Sequence, residues 1–118
     1  MLGLFVFTFI LSLVMIIIGV LLIKCPPKKI NSLVGYRTKK SSKNQEMWDF
    51  AQQFSGKAFI FIGLISIVVF FLIILLFVNK ENLEDVFLIL SYCQIAEFFV
   101  VILITEIALK RKIDNAKE

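Results

Sequence analysis

The sequence contains no histidine, and its only two prolines, Pro26 and Pro27, are adjacent. Without histidine the chain lacks the commonest general base and a principal zinc ligand. It has two cysteines, Cys25 and Cys93, and they fall in different surroundings: one follows a long apolar run and the other lies within one. This placement predicts neither a routine disulfide nor a metal site.

Motifs that carry catalysis are also missing. The sequence has no glycine-rich phosphate loop, and the three aspartates (Asp49, Asp85 and Asp114) fall outside the long apolar runs. An intramembrane aspartyl protease would need paired aspartates inside the membrane. We therefore expect a protein that is not an enzyme and that holds no cofactor or metal ion.

Long apolar runs dominate the rest of the chain, and 59% of its 118 residues are hydrophobic. The runs cover about residues 2–23, 58–78 and 86–109, and only the third contains charges, Glu97 and Glu106. About 20 apolar residues are needed for a helix to cross a bilayer. The pattern predicts a single all-α membrane domain with three transmembrane helices. The first run is too long, and lacks the basic start, for a cleaved signal peptide, so we expect it to be retained.

The positive charges indicate an orientation. Eight lysines and arginines lie in the loop at residues 24–57 and four in the tail at residues 110–118, whereas residues 79–85 carry only Lys80. Short loops rich in lysine and arginine stay in the cytoplasm. We expect the N-terminus outside and the C-terminus in the cytoplasm. Beside apolar spans, these charges favour anionic lipid headgroups as partners rather than nucleic acid.

The second half of the loop predicts a short helix at about residues 43–55. Ser42 followed by Gln45 fits a capping box. Apolar residues then recur at the spacing of one helix face. Trp48 flanks that face, as is typical of a helix lying on the membrane surface with its tryptophan at headgroup depth. Ser55 and Gly56 predict a bend before the second span. The apolar face consists of Met47, Phe50, Ala51 and Phe54.

The first half of the loop contains the sequence Gly35-Tyr36-Arg37-Thr38. An arginine can bind a phosphate or carboxylate with two parallel hydrogen bonds. One interpretation is therefore an anion site for a lipid headgroup or for an acidic surface of a partner. The other is an orientation loop in which Arg37 only pairs with Glu46, Asp49 or the end of a helix.

The pattern PPKKIN…GYRT…S.KN.E.WD.A…SGK, between Pro26 and Lys57, resembles the SdpI family of bacterial membrane proteins. The resemblance implies a cell-membrane protein. The family's named member protects its producer against a secreted sporulation-delaying toxin and takes part in signalling by holding a cytoplasmic repressor at the membrane. The resemblance therefore favours an immunity or signalling protein that binds a toxin peptide or a cytoplasmic regulator without catalysis. The residues expected at this site are Asn31, Gly35, Tyr36, Arg37, Thr38, Lys43, Asn44 and Trp48.

The third span carries polar side chains at Gln94 and Glu97, and Ser12 and Ser66 fall at similar depth in the other two spans. One interpretation is a protonatable group in a polar cavity, as in a small proton- or ion-coupled carrier or channel. The other is a hydrogen-bonded contact between helices. A third hypothesis for the whole chain is a structural accessory subunit, and a homo-oligomer would supply further partners. Near the end of the span, Glu106 is expected to pair with Lys110 on the same helix.

Overall fold

The computed structural model describes residues 2–77, 79 and 81–117, and its regular elements in these ranges are three helices. They are α1 (Leu2–Lys24), α2 (Gln45–Phe77) and α3 (Leu83–Ala116). Each is long and apolar enough to cross a membrane. This confirms the predicted all-α class with three spans. Val78 of the predicted second span, Lys80 of the connection and Glu118 of the tail lie outside the described residues.

The helices differ in length. At 1.5 Å per residue, the 23 residues of α1 extend about 35 Å, whereas α2 and α3, with 33 and 34 residues, extend about 50 Å. The hydrocarbon core of a bilayer is about 30 Å thick. The extra length of α2 and α3 lies at one end of the bundle. We call this the basic end: it comprises the basic loop (residues 25–44), the first turns of α2 and the last turns of α3.

The polar and apolar side chains are distributed as lipid requires. Thr8, Ser12, Ser66, Gln94 and Thr105 are at most 1% exposed inside the bundle. Large apolar side chains instead cover the outside of all three helices. Because lipid tails cannot satisfy polar groups, a membrane bundle keeps them inside. The chain is therefore a multi-pass membrane protein.

Helices α1 and α2 approach closely where two glycines face each other. A Cβ atom on Gly19 would lie 2.5 Å from the carbonyl oxygen of Gly56, and one on Gly56 would lie 2.9 Å from that of Gly19. Small residues allow such backbone contact in membranes. The bend predicted at Ser55 and Gly56 is wrong, because α2 continues through both residues. Gly56 serves the helix packing, and the Ser55 hydroxyl donates to the carbonyl oxygen of Ala51, 2.7 Å away, within the same helix.

The helix predicted at residues 43–55 is present, but it is the first three turns of α2 and not a separate element on the membrane surface. Its cap also differs from the prediction. The helix begins at Gln45, so the residue before it, Asn44, is the N-cap, and its Oδ1 accepts from the N–H of Met47 at 2.8 Å. Ser42 is exposed and lies too early to cap this helix.

Apolar packing divides the bundle into three layers. At the basic end, Tyr36 of the loop packs with Met47, Ala51 and Leu109. The middle is held by Met15, Leu22, Phe59 and Val101, and the opposite end by Phe70, Phe87 and Leu90 with rings from α1. The first layer fixes the basic loop against α2 and α3.

Candidate functional site

The basic loop begins with a sharp end to α1. The N–H of Cys25 makes the last helical bond, to Leu21, and the two prolines that follow have no N–H to continue the pattern. The carbonyl oxygen of Pro27 then accepts a 2.6 Å hydrogen bond from Nε1 of Trp48. Trp48 is fully buried. It therefore anchors the start of the loop inside the protein and does not face lipid headgroups as predicted.

The turn at residues 29–34 is organised by Asn31. Its Oδ1 accepts from the N–H groups of Leu33 and Val34 at 2.9 and 2.8 Å, and its Nδ2 donates to the carbonyl oxygen of Lys29. A side chain that bonds its own backbone in this way stabilises a tight turn. Asn31 thus shapes the loop from within, and the turn leaves Leu33 and Val34 exposed at its tip.

Gly35 has a backbone conformation that other residues rarely adopt, with φ at +98°. A Cβ atom here would also lie 2.5 Å from Cγ of Pro27 and 2.8 Å from Oε1 of Gln52. The position therefore requires glycine for two independent reasons. It sets the direction in which the chain enters Tyr36 and Arg37.

Gln52 holds the backbone of Tyr36 with both ends of its amide group. The Tyr36 N–H donates to Oε1 at 2.8 Å, and Nε2 donates to the Tyr36 carbonyl oxygen at 2.9 Å. Gln52 is fully buried. The predicted apolar face of the helix does not include Gln52, yet the structure buries it. Gln52 is a site residue that sequence reasoning missed.

The side chain of Tyr36 connects the loop to α3. Its hydroxyl donates to Oε1 of Glu106 at 2.8 Å and lies 3.2 Å from the carbonyl oxygen of Ile102. Burial, and next the bond to Glu106, raise the pKa of Tyr36 well above its ordinary value. Glu106 also pairs with Lys40, 3.5 Å away. It thus contacts the loop rather than Lys110, the partner predicted from helical spacing.

The end of the loop is closed by Thr38 and Ser41. The N–H of Thr38 donates to Oγ of Ser41 at 2.7 Å, and the N–H of Ser41 lies 3.2 Å from Oγ1 of Thr38. Ser41 is fully buried. Several residues of the family-like pattern, Ser41 and Asn44 among them, therefore maintain the shape of the loop.

Arg37 is different from these residues because its side chain is exposed. One Nη donates to the carbonyl oxygen of Ser32, across the turn. A guanidinium group carries five N–H donors, so this contact orients the group and leaves other N–H donors available for a ligand. Lys39 and Lys43 are also exposed. Of the predicted site residues, Arg37 and Lys43 present charge outward, whereas Tyr36 and Trp48 are buried.

A cavity of about 450 Å³ lies directly beneath this loop. Apolar side chains from all three helices form its floor, including Ile18 and Leu22 of α1, Phe59 of α2 and Ile102 of α3. Residues 35–38 of the loop form its mouth. The arrangement can hold a molecule that has an apolar part below and an anionic part at Arg37.

Of the four polar residues predicted inside the membrane, Ser12, Ser66 and Gln94 are in hydrogen-bond contact. Nε2 of Gln94 lies 2.8 Å from Oγ of Ser12, 2.9 Å from Oγ of Ser66 and 3.0 Å from the carbonyl oxygen of Thr8. The two serine hydroxyls are 3.2 Å apart. We call Thr8, Ser12, Ser66 and Gln94 the mid-membrane cluster. Within the part of the chain that the structure describes, Oε1 of Gln94 and Oε2 of Glu97 are buried without a hydrogen-bond partner.

A second, larger groove of about 710 Å³ lies between the first turns of α2 and the last turns of α3. Its apolar wall includes Phe50 and Phe54, whose rings stack 5.6 Å apart. Lys112 lies over the Phe50 ring and pairs with Glu46, 3.2 Å away. These contacts fasten the two helices together at the basic end.

A model of the SdpI/YfhL protein family matches residues 28–109. This range includes most of the basic loop, two members of the mid-membrane cluster (Ser66 and Gln94) and Glu106. The chain belongs to the SdpI/YfhL family. The predicted resemblance is therefore confirmed, and it includes the loop, the cavity mouth and the polar residues of the third span.

One curated relative of this SdpI/YfhL family member is a Bacillus subtilis (strain 168) protein named uncharacterized protein YfhL. The two chains are 45% identical over 51 residues. The aligned part covers 43% of this chain and 46% of the relative, so the match spans less than half the length of the relative. No solved structure matches the chain.

Proposed function

We propose that this chain is a non-catalytic immunity or signalling protein that binds a toxin peptide or a cytoplasmic partner through its basic loop. The observation that supports this most directly is the contrast within the loop. Tyr36 and Ser41 are buried in hydrogen bonds, while Arg37 is exposed at the mouth of a cavity. A binding group on a backbone that is already ordered loses less entropy when it binds.

The proposal includes an orientation and an assembly. The basic loop and the tail would lie in the cytoplasm of a bacterial cell, with the N-terminus outside, because both segments are rich in lysine and arginine. A partner with an acidic surface would be attracted to this end. A homo-oligomer is compatible with three helices that leave large apolar faces exposed.

The test is protection of a toxin-sensitive Bacillus strain that lacks its own immunity protein. The cells would express this chain and be challenged with the sporulation-delaying toxin. Arg37→Ala is expected to insert at wild-type levels and to lose protection, because the exposed guanidinium is removed while the buried contacts of the loop remain. Lys39→Ala is the matched control, since it removes an exposed charge from the same loop.

Two results would contradict the proposal. Arg37→Ala could protect as well as wild type at equal membrane abundance. Alternatively, wild type could give no protection and hold no cytoplasmic protein at the membrane in cross-linking from residue 37.

A second candidate function rests on a different observation, the two buried oxygens of Gln94 and Glu97 that have no partner among the described residues. A proton or small cation would satisfy such acceptors. This supports the alternative of a proton- or ion-coupled carrier built around Glu97. Carriers of this kind commonly place a carboxylate inside the membrane.

The carrier alternative is tested with purified protein in liposomes that contain a pH-sensitive dye, under imposed proton, sodium and potassium gradients. Wild type is expected to dissipate one of these gradients, and Glu97→Gln is expected to abolish the flux. Arg37→Ala serves as the control and should leave it intact. Flux equal to that of empty liposomes under every gradient would eliminate this candidate.

A further inference from the structure

The cavity beneath the basic loop has an apolar floor inside the bundle and a polar mouth at the level of the loop. Ile18, in its floor, lies six residues before Lys24 at the end of α1, which corresponds to about 9 Å along the helix. Arg37 and Thr38, at its mouth, lie beyond the end of α1. An apolar chain can thus extend into the bundle while a polar group stays at the level of the loop.

Charge at the mouth favours an anion. The segment at residues 24–57 carries eight basic residues and two acidic ones, Glu46 and Asp49. Asp49 accepts a hydrogen bond from Gln45. Glu106, on the neighbouring α3, is held by Tyr36 and Lys40. Each nearby carboxylate therefore has a partner, and the exposed Arg37 is positioned for a ligand that brings its own negative charge.

Shape favours a lipid chain over a helical peptide. The cavity measures about 450 Å³, and its floor at Ile18 lies about 9 Å below the end of α1. Two turns of a helical peptide are about 10 Å across and about 11 Å long. A single extended acyl chain is much narrower. A toxin peptide or partner would therefore contact the outer surface of the loop, whereas the cavity suits a smaller amphiphile.

We propose that this cavity is a binding site for one anionic phospholipid. Its phosphate lies on the guanidinium of Arg37, with Thr38 beside it, and one acyl chain packs against Ile18, Leu22 and Ile102. Arginine binds phosphate through two parallel hydrogen bonds. This site goes beyond the proposed function, which has a toxin peptide or a cytoplasmic partner as its ligand, although both use Arg37.

The mouth of the site is preformed. Gly35 cannot accept a side chain without meeting Pro27 and Gln52, and Gln52 fixes the backbone of Tyr36 from both sides. Pro27, which lines the cavity, accepts the hydrogen bond of Trp48. Because Trp48 is the chain's only tryptophan, its fluorescence reports on the neighbourhood of the cavity.

The experiment measures quenching of Trp48 fluorescence by lipids with brominated acyl chains, added to the full-length protein in detergent micelles. Trp48 is fully buried, so lipid at the outer surface quenches it weakly. Brominated phosphatidylglycerol is expected to quench with saturation at one lipid per chain. Brominated phosphatidylcholine should require about tenfold more lipid, because it lacks the net negative charge. Native mass spectrometry gives the stoichiometry independently.

Three variants separate the parts of the site. Arg37→Ala should remove the preference for phosphatidylglycerol, so that the two lipids quench at similar concentrations. Ile102→Phe narrows the floor of the cavity and should weaken the binding of both lipids. Lys39→Ala, which removes a charge that does not line the cavity, should behave like wild type. Inorganic phosphate at millimolar concentration should compete weakly, because it has no acyl chain.

The proposal is overturned if wild type shows no difference between the two lipids, or if Arg37→Ala keeps the preference. It is also overturned if inorganic phosphate displaces the lipid fully, since the site would then bind phosphate alone. The lipid preference of wild type and of Arg37→Ala decides the matter even where Ile102→Phe fails to fold. Loss of protection in Arg37→Ala with no lipid preference in wild type would leave the proposed function standing alone.

Discussion

Two buried glutamines, Gln52 at the basic end and Gln94 in the middle of the membrane, differ in how completely their amide groups are hydrogen-bonded. Both are fully buried. Gln52 uses its oxygen and its nitrogen, each in one short bond to the backbone of Tyr36. Gln94 uses its nitrogen, which three acceptors surround, while its oxygen is buried without a partner among the described residues.

The difference in hydrogen bonding predicts different roles for the two glutamines. A buried amide with both ends bonded is a fixed structural connection, and changing it exposes two backbone groups to an environment that cannot satisfy them. A buried amide with a free acceptor has already lost part of its hydrogen bonding in the folded state. Gln52 is therefore expected to contribute mainly to stability. Gln94 is expected to contribute mainly to the binding of a proton or small cation at the mid-membrane cluster.

The largest effect is expected for Gln52→Leu. The substitution leaves the N–H and carbonyl oxygen of Tyr36 buried without partners, at about 1–3 kcal/mol for each group. We expect a loss of about 2–4 kcal/mol in the free energy of unfolding, measured by sodium dodecyl sulfate titration in mixed micelles with Trp48 fluorescence as the signal. The control Gln53→Leu removes one bond, to the carbonyl oxygen of Ile23, from a half-buried position. Gln53→Leu should lower the free energy of unfolding by clearly less. Equal losses in the two variants would refute the assignment of Gln52 as the residue that holds the Tyr36 backbone.

An intermediate effect is expected for Tyr36→Phe, which keeps the ring but removes the hydroxyl that donates to Glu106. Bonds to charged groups contribute about 1.5–3 kcal/mol when buried. Glu106 is partly exposed and keeps Lys40, so we expect a loss of about 1 kcal/mol. The same titration measures it. Tyr92→Phe, at an exposed position on α3, is the control and should be neutral. A neutral Tyr36→Phe would show that the bond to Glu106 does not help to hold the loop.

The same contact predicts a dependence on pH. The folded state raises the pKa of Tyr36, chiefly by burial, whereas an unfolded tyrosine titrates near about 10. The folded chain therefore keeps a proton that the unfolded chain loses, and stability should be full below about pH 10 and fall above it. Unfolding titrations at pH 8 and at alkaline pH measure this slope. It should be reduced in Tyr36→Phe, and an unchanged slope would count against the buried hydroxyl.

The smallest effect on stability is expected for Gln94→Leu. Hydrogen bonds between membrane helices contribute about 0.6 kcal/mol on average, and leucine also removes the unpartnered oxygen. We expect a change within about 1 kcal/mol by the same titration. Ser91→Ala is the control, because among the described residues the Ser91 hydroxyl bonds the carbonyl oxygen of Phe87 within its own helix. A loss as large as that of Gln52→Leu would erase the distinction between the two glutamines.

The three spans were predictable because about 20 consecutive apolar residues have few other uses. The site was predictable in position but not in detail. The predicted apolar face of this helix does not include Gln52, because the burial of Gln52 depends on where the distant Tyr36 backbone lies. Glu106 was assigned a partner four residues away, whereas its actual partners come from the loop. These are contacts between segments far apart in the chain, which local spacing cannot reveal.

Glycine shows the same limit. Gly56 was interpreted as a bend because glycine usually interrupts helices, yet its missing side chain admits the backbone of Gly19. Gly35, by contrast, has the positive φ that some turns require. A single residue type thus gives different outcomes depending on whether the neighbouring helix or the local backbone determines its role.

The unbroken course of α2 has a mechanical consequence. Gly56 divides the helix into an outer arm, which carries Trp48 and Gln52, and an inner arm, which reaches Ser66 ten residues, or about 15 Å, further on. At the crossing with Gly19 the two backbones touch, and the side chains of Ile23 and Ile60 pack beside the contact. Because the helix is continuous through this contact, a rigid tilt of the outer arm would also move Ser66, which bonds Ser12 and Gln94.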